Sequence, residues 1–251
     1  MLTSQRKQRI LQQLAADGQV VSKTLSETFG VSEDTIRRDL RELSAEGLLQ
    51  RVHGGALPAS AAIAPFAERK TLALDSKRAI ARRGAALIEP GQVVIIDGGT
   101  TTAELVACLP HSLELTVVTH SPSIALALAD HPHIEVITIG GRLYKHSLVA
   151  VGAAAIAGIA KVRADLFFMG VTGVHCEAGL STGDYEESCV KRAFASRAAE
   201  TVVLASAEKI NTASRWVIGD VSLVNTLVVE RSLEESLTAP FAARGIAIIR
   251  A

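Results

Sequence analysis

Cysteine is scarce in this chain: Cys108, Cys176 and Cys189 are the only three in 251 residues, and their spacing fits no metal-ligand motif. That excludes a disulfide framework of the secreted kind and a cysteine-built zinc site, and it suits a reduced compartment. Net charge is also missing. Lys plus Arg number 26 and Asp plus Glu 26, and residues 1–57 alone hold 8 basic against 7 acidic side chains. Whole-chain attraction to a polyanion is thereby excluded, so any contact with nucleic acid must come from local clustering. No apolar run approaches the length of a membrane span. The Ala-rich stretch from Val149 to Ile159 is short and interrupted by glycine, which marks a buried element instead. The residues after Met1 are polar, without an apolar signal segment, so a cytoplasmic location is expected. Internal repeats and low-complexity tracts are absent too. What is left is a 48% hydrophobic chain, long enough for one small and one medium domain.

The small domain is legible at the N-terminus. Ser32 is a good N-cap, and Glu33 and Asp34 place negative charge in the first turn of a helix. Along it Ile36, Leu40 and Leu43 form one apolar stripe, with Asp34, Arg38 and Arg41 opposite and Arg37 flanking them. Upstream, Arg9 to Ala16 reads as a first helix and Ser22 as the cap of a second, with Leu25 and Phe29 inward. Gly30 permits the tight turn that packs two helices against each other. Downstream, Gly47 ends the third helix, and Leu48 to Val52 followed by Gly54-Gly55 reads as a short hairpin. Arg51 and His53 on it are set to reach a phosphate or the minor groove. The order of parts predicts a winged helix-turn-helix, with Ser32, Asp34, Thr35, Arg37, Arg38, Arg41, Arg51 and His53 as the DNA-facing set. The blander reading of the arginines is a solvated helix face, and of His53 a residue that satisfies a turn.

Two prolines and small residues interrupt all periodicity near Leu57 to Pro65, which predicts domains at 1–57 and 71–251 joined by a linker over 58–70. Beyond it, short β-branched runs (Val93–Ile96, Leu115–Val118, Val136–Ile139, Leu166–Met169, Val202–Leu204, Leu227–Val229, Ile246–Ile249) alternate with helical stretches such as Ser76–Leu87, Thr102–Leu109, Ser123–Ala129 and Glu186–Ala199. That pattern predicts a largely parallel, Rossmann-like sheet with helices on both faces. Open parallel sheets bind ligands beyond the carboxyl ends of their strands. There the chain places Asp97-Gly98-Gly99-Thr100-Thr101-Thr102, which supplies glycines, hydroxyls and a helix N-terminus, the makings of an anion cradle. A plain tight turn with Thr102 as a cap is the alternative. Asp97 could accept from a sugar hydroxyl. Thr119, Gly140 and Gly141 follow the next two strands and are expected to border the same crevice. Asp184, Glu186 and Glu187, leading into the helix that carries Lys191, are expected either to bind hydroxyls or simply to complement the helix dipole.

Residues from about Arg6 to Ala56 resemble the winged helix-turn-helix of the DeoR family of bacterial transcriptional repressors. The family signature, Val-Ser-x-x-Thr-Ile-Arg-Arg-Asp-Leu with a later His-Gly-Gly-Ala, stands here as Val31 to Leu40 and His53 to Ala56 without departure. The resemblance implies a repressor that binds double-stranded operator DNA; because one winged domain of this size covers too few base pairs to find a site in a genome, an oligomer, dimer or tetramer, is also expected. Its C-terminal domain would be related in fold to ribose-5-phosphate isomerase and would bind a phosphorylated sugar or polyol. It implies no cofactor and no metal. It also implies that the Thr-Thr loop, the acidic helix entry and Lys209 surround the effector. One departure stands at Ser206, where the family usually carries aspartate. Two other readings remain: a sugar-phosphate isomerase or deaminase with a DNA-binding appendage, in which Asp97 or Glu186 would be the general base, and an architectural DNA-binding protein with a ligand-free partner domain.

Overall fold

The computed structural model describes residues 1–251. Three helices open the chain: α1 (Thr3–Asp17), α2 (Ser22–Phe29) and α3 (Glu33–Ala45). The two-residue strand β1 (Val20–Val21) joins a sheet with β2 (Leu49–Val52) and β3 (Gly55–Pro58), in the order β1-β3-β2 and antiparallel throughout. Ile10, Leu14, Leu25, Ile36, Leu40 and Leu43 close a separate small core under this sheet. Gly30 takes φ 62°, ψ 38° between α2 and α3, a left-handed turn open to glycine without strain. Ser32 caps α3 by accepting from the Thr35 amide. Ser22 does not cap α2: it is the helix's first residue, buried, with its amide donating to the Gly54 carbonyl of the hairpin.

The segment after β3 is not a free tether. Ala59 bridges to Ala213, Ser60 is buried and donates to the Thr172 carbonyl, and Ala61–Ile63 form a single 3-10 turn before the four-residue helix α4 (Phe66–Arg69). Loss of periodicity in the sequence marked a change of structure. The backbone polar groups nonetheless find partners, as buried segments require.

The larger domain is built on a seven-stranded sheet. Its elements run α5 (Leu74–Ala85), β4 (Val93–Ile96), α6 (Thr100–Ala107), β5 (Leu115–Thr119), α7 (Pro122–Ala127), β6 (Ile134–Thr138), β7 (Arg142–Tyr144), β8 (Val149–Val151), α8 (Ala153–Ile159), β9 (Ala164–Met169), β10 (Gly173–His175), β11 (Gly179–Thr182), α9 (Tyr185–Ala195), β12 (Ala198–Ala205), β13 (Trp216–Gly219), β14 (Thr226–Val229), α10 (Glu235–Ala242) and β15 (Ala247–Arg250). The main sheet has the order β15-β14-β12-β9-β4-β5-β6, every pairing parallel. Side chains alternate between its faces. Val94, Ile96 and Phe168 pack with α5, α6 and α7, whereas Ile95, Phe167 and Met169 pack with α8, α9 and α10. Two small antiparallel units, β7-β8 and β10-β11-β13, escaped the sequence reading because their strands are short and inserted between sheet crossovers. The stretch 149–159 is a buried strand followed by α8, and α9 ends at Ala195, so that Ala198 and Ala199 already lie in β12. No helix is long and apolar enough to cross a membrane.

The chain leaves β4 toward β5 and β6 on one side, then returns to place β9, β12, β14 and β15 on the other. The order therefore reverses between β4 and β9, and the two connections leaving these strands diverge to open a crevice.

Candidate functional site

The crevice is where the sequence placed its glycines and hydroxyls. A cavity at the carboxyl ends of β4 and β9 is lined by Gly98, Gly99, Thr100, Thr101 and Thr102 from one connection and by Gly170, Val171 and Thr172 from the other. Gly98 and Gly170 are required by close approach. A Cβ on Gly98 would meet Val149 Cγ1 at 2.2 Å, and one on Gly170 would meet the Gly98 carbonyl oxygen at 2.8 Å. The loop therefore lies flat against its neighbours, with the N-terminus of α6 at the cavity.

Beneath that loop sits a fully buried charge cluster. Asp97 accepts from the Gly98 amide at 2.8 Å and the Gly170 amide at 2.9 Å, from Lys191 Nζ at 2.5 Å, and pairs with His120 Nε2 at 2.6 Å. The other ring nitrogen of His120 faces the Ala150 carbonyl at 2.7 Å. Burial by itself would push the Asp97 carboxyl up. The Lys191 charge and the His120 hydrogen bond overcome that and hold it at about 2. Lys191 also pairs with Glu187 at 3.2 Å, and Glu187 accepts from Thr182 at 3.0 Å.

Of the expected effector residues, Gly99, Thr100, Thr101, Thr102, Glu187, Lys191 and Lys209 line the cavity together. Lys209, on a 3-10 turn after β12, donates to Thr101 Oγ1 at 3.2 Å. Its burial, with Lys77, Arg69 and Lys191 nearby, outweighs the attraction of Glu208 and lowers its pKa to about 8. The other expected residues do different work. Asp97 is below the loop rather than on the cavity wall, joining the two connections. Thr119 donates to the Ile96 carbonyl at 2.6 Å and fixes the end of β5. Gly140 and Gly141 lie outside the cavity, and a Cβ on Gly141 would sit 2.7 Å from the Val151 carbonyl oxygen, so that glycine lets β7 and β8 pair. Asp184 caps α9 by accepting from the Glu187 amide at 3.0 Å. Glu186 is half-buried and engaged with Arg142. Of these three acids at the start of α9 only Glu187 lines the cavity.

Sequence reading missed three basic or acidic lining groups. Lys77, 2% exposed, reaches the cavity from α5 and donates to the Arg69 carbonyl at 2.5 Å; Arg69 comes from α4, and Glu208 stands beside Lys209. Nothing in the local pattern around Lys77 distinguishes it from an exposed helical lysine. Only its position on the α5 face that packs against the sheet gives it away. Ser206, at the family's departure, donates to Glu208 Oε1 at 2.6 Å, so an acid two residues later stands near the expected aspartate.

At the other end of the chain, Arg38 and Arg41 are exposed on α3 and make no ion pair, whereas Arg37 is held by Glu33 at 2.9 Å and Asp34 at 3.2 Å. Ser32 and Thr35 bond each other at the helix start. Arg37, Arg51 and His53 border one groove between α3 and the hairpin, and Lys23 joins them from α2, a contributor the sequence did not announce. Behind this face Arg6 of α1 is clamped to Asp39 of α3, with Nε 2.5 Å and Nη2 3.1 Å from the carboxylate, both residues buried.

The family model described as the DeoR-like helix-turn-helix domain matches residues 6–61, and that of the DeoR C terminal sensor domain matches residues 73–231. The HTH-type transcriptional regulator GlpR of Haloferax volcanii is 32% identical over 252 residues, covering 99% of this chain and 98% of that protein. The glycerol-3-phosphate regulon repressor of Escherichia coli is 31% identical over 231 residues, 92% of each. Ribose 5-phosphate isomerase A from Neisseria gonorrhoeae superposes with a TM-score of 0.40 at 15% identity, over 56% of this chain and 52% of that one, too slight a likeness to carry an argument. The relatives are transcriptional regulators, which decides against the isomerase or deaminase alternative. A winged domain and a sensor domain matched in order, with relatives of about a third identity along nearly the whole length, place this chain in the DeoR family of transcriptional regulators.

Proposed function

We propose that this chain is a cytoplasmic, oligomeric repressor of carbohydrate or polyol metabolism genes, released from its operator by a phosphorylated sugar or polyol bound at the β4–β9 crevice. The observation that carries the reading is the cavity's charge. Lys77, Lys191, Lys209 and Arg69 line it against only Glu187 and Glu208, and the N-terminus of α6 adds its own positive end. A phosphate monoester supplies the missing negative charge. The Thr100 to Thr102 hydroxyls and the Glu187 carboxylate suit the polar remainder of a sugar or polyol. The names of the relatives, which include a glycerol-3-phosphate regulon repressor, agree with a ligand of that class. Arg38, Arg41, Arg51 and His53, with Ser32, Asp34, Thr35 and Arg37 at the helix start, form the DNA face, in which Arg37 exchanges its carboxylates for a DNA phosphate.

The test pairs each phosphorylated compound with its unphosphorylated parent. Only the phosphorylated member should raise the melting temperature and shift operator affinity, by a coupling of about 1–3 kcal/mol. Thr101→Glu, which sets a like charge against the phosphate, should still bind operator and ignore the effector. Arg38→Ala should either lose roughly 1–3 kcal/mol of operator affinity or flatten the log-log salt slope by about one. Equal operator affinity and salt dependence for Arg38→Ala, Arg41→Ala and the unaltered chain would overturn the DNA face.

A further inference from the structure

The cavity has a wall that belongs to neither half of the sensor sheet. Ala62 and Arg69, on the segment between the two domains, face the Thr100–Thr102 loop and Lys209. Arg69 is unusual among the cationic groups there. Its Nε and Nη2 are buried without a hydrogen-bond partner, and it makes no ion pair, although the neighbouring Lys191 has two. Buried guanidinium donors left unmade are costly, so such a group marks a place for an absent acceptor. Burial lowers the Arg69 pKa, with Glu187 too far away to form an ion pair.

The segment is short and continuous with the wing. β3 ends at Pro58, Ala59 bridges Ala213, Ser60 is buried, and Lys77 of α5 holds the Arg69 carbonyl from the far side. Between these anchors Ile63 to Glu68 are exposed or half-buried, which leaves this stretch of the cavity wall for a ligand to fasten.

We infer that Arg69 is an effector-reading residue: its guanidinium takes the anionic group of the ligand, and by doing so the ligand fastens the 59–70 segment, and with it the end of wing strand β3, to the sensor domain. This inference rests on the proposal that the crevice binds a phosphorylated ligand. It adds where that event is transmitted. A ligand held only by the α6 loop and Lys209 would make no direct contact with the segment that continues into the wing. A ligand that also engages Arg69 does.

Hydrogen exchange on the full-length protein distinguishes the two levels, with inorganic phosphate, glycerol 3-phosphate and glucose 6-phosphate as probes. At a saturating probe, amides of residues 98–103 and of residues 61–72 should both slow. Slowing at 98–103 with no change at 61–72 overturns this inference and leaves the effector site standing; no slowing at either from any probe overturns both. Arg69→Met should weaken the effective probe about ten- to a hundredfold, the loss expected for a charge-assisted hydrogen bond, and should abolish slowing at 61–72 even when the probe is raised to saturation. Unaltered affinity in Arg69→Met, with slowing at 61–72 retained, would equally defeat it.

Discussion

At the residue scale the cavity and the loop beneath it hold two buried groups that both titrate below their ordinary ranges, with opposite consequences for their charge. Lys209, lowered to about 8, is only partly protonated in mildly alkaline solution. A phosphate ligand favours its charged form, so binding near pH 8 should take up protons. Affinity should fall as pH rises from 7 to 9, and calorimetry in two buffers of different ionisation enthalpy should show the uptake. Lys209→Met should bind more weakly and lose this uptake; an unchanged proton count in that variant would assign it to another group. Asp97 is lowered too, but for a carboxyl this favours the charged form. Its carboxyl at about 2 lies below the unfolded carboxylate range, so its contribution is complete above about pH 4 and is lost as pH falls through 2. Asp97→Asn should therefore lower stability at pH 7 by on the order of 2 kcal/mol. It should also flatten the acid limb of a denaturation profile between pH 4 and 2. Asp97 was legible in the sequence as the polar end of a strand, but as a ligand group. Its partners His120 and Lys191 are 23 and 94 residues away, and no local pattern connects them.

At the element scale, the helix-turn-helix depends on a contact that its amphipathic pattern conceals. α3 is the most readable helix of the chain, since the Ser32 cap, the Glu33-Asp34 turn and the Ile36-Leu40-Leu43 stripe all agree. Asp39 looks like one more polar position beside the arginines. It is 2% exposed, and Arg6 of α1 satisfies it. Removing one partner strands a buried charge, so Asp39→Ala should destabilise the N-terminal domain by about 3 kcal/mol. Chemical denaturation followed by a probe in that domain would measure it. The Arg6→Met, Asp39→Leu double variant should recover much of the loss, because both buried charges are then gone. A double variant no better than the single ones would mean that the pair contributes more than mutual neutralisation. Among strands, the seven of the main sheet were visible as β-branched runs. The three-residue strands β7, β8 and β10 were not, because two or three residues carry no measurable period.

At the scale of the whole molecule, one winged domain with a near-balanced charge contacts too few base pairs to select a site alone. Footprinting should therefore show two half-sites about one DNA turn apart, or a multiple of it, from an assembled protein. A single short footprint from a monomer would count against the oligomer. The sequence by itself determined the kinds of parts and their order: winged helices first, a parallel α/β sheet after them, and a loop rich in glycine and threonine at the end of a strand. These follow from short-range physics, namely caps, periodicity and glycine, which act within a few residues. The tertiary structure decided which strand ends share a crevice, because that depends on the reversal of strand order between β4 and β9. It therefore placed Thr119, Gly140 and Gly141 outside the cavity and Lys77 and Arg69 on its wall. Buried charge is paired through space, and distance along the chain gives no measure of it.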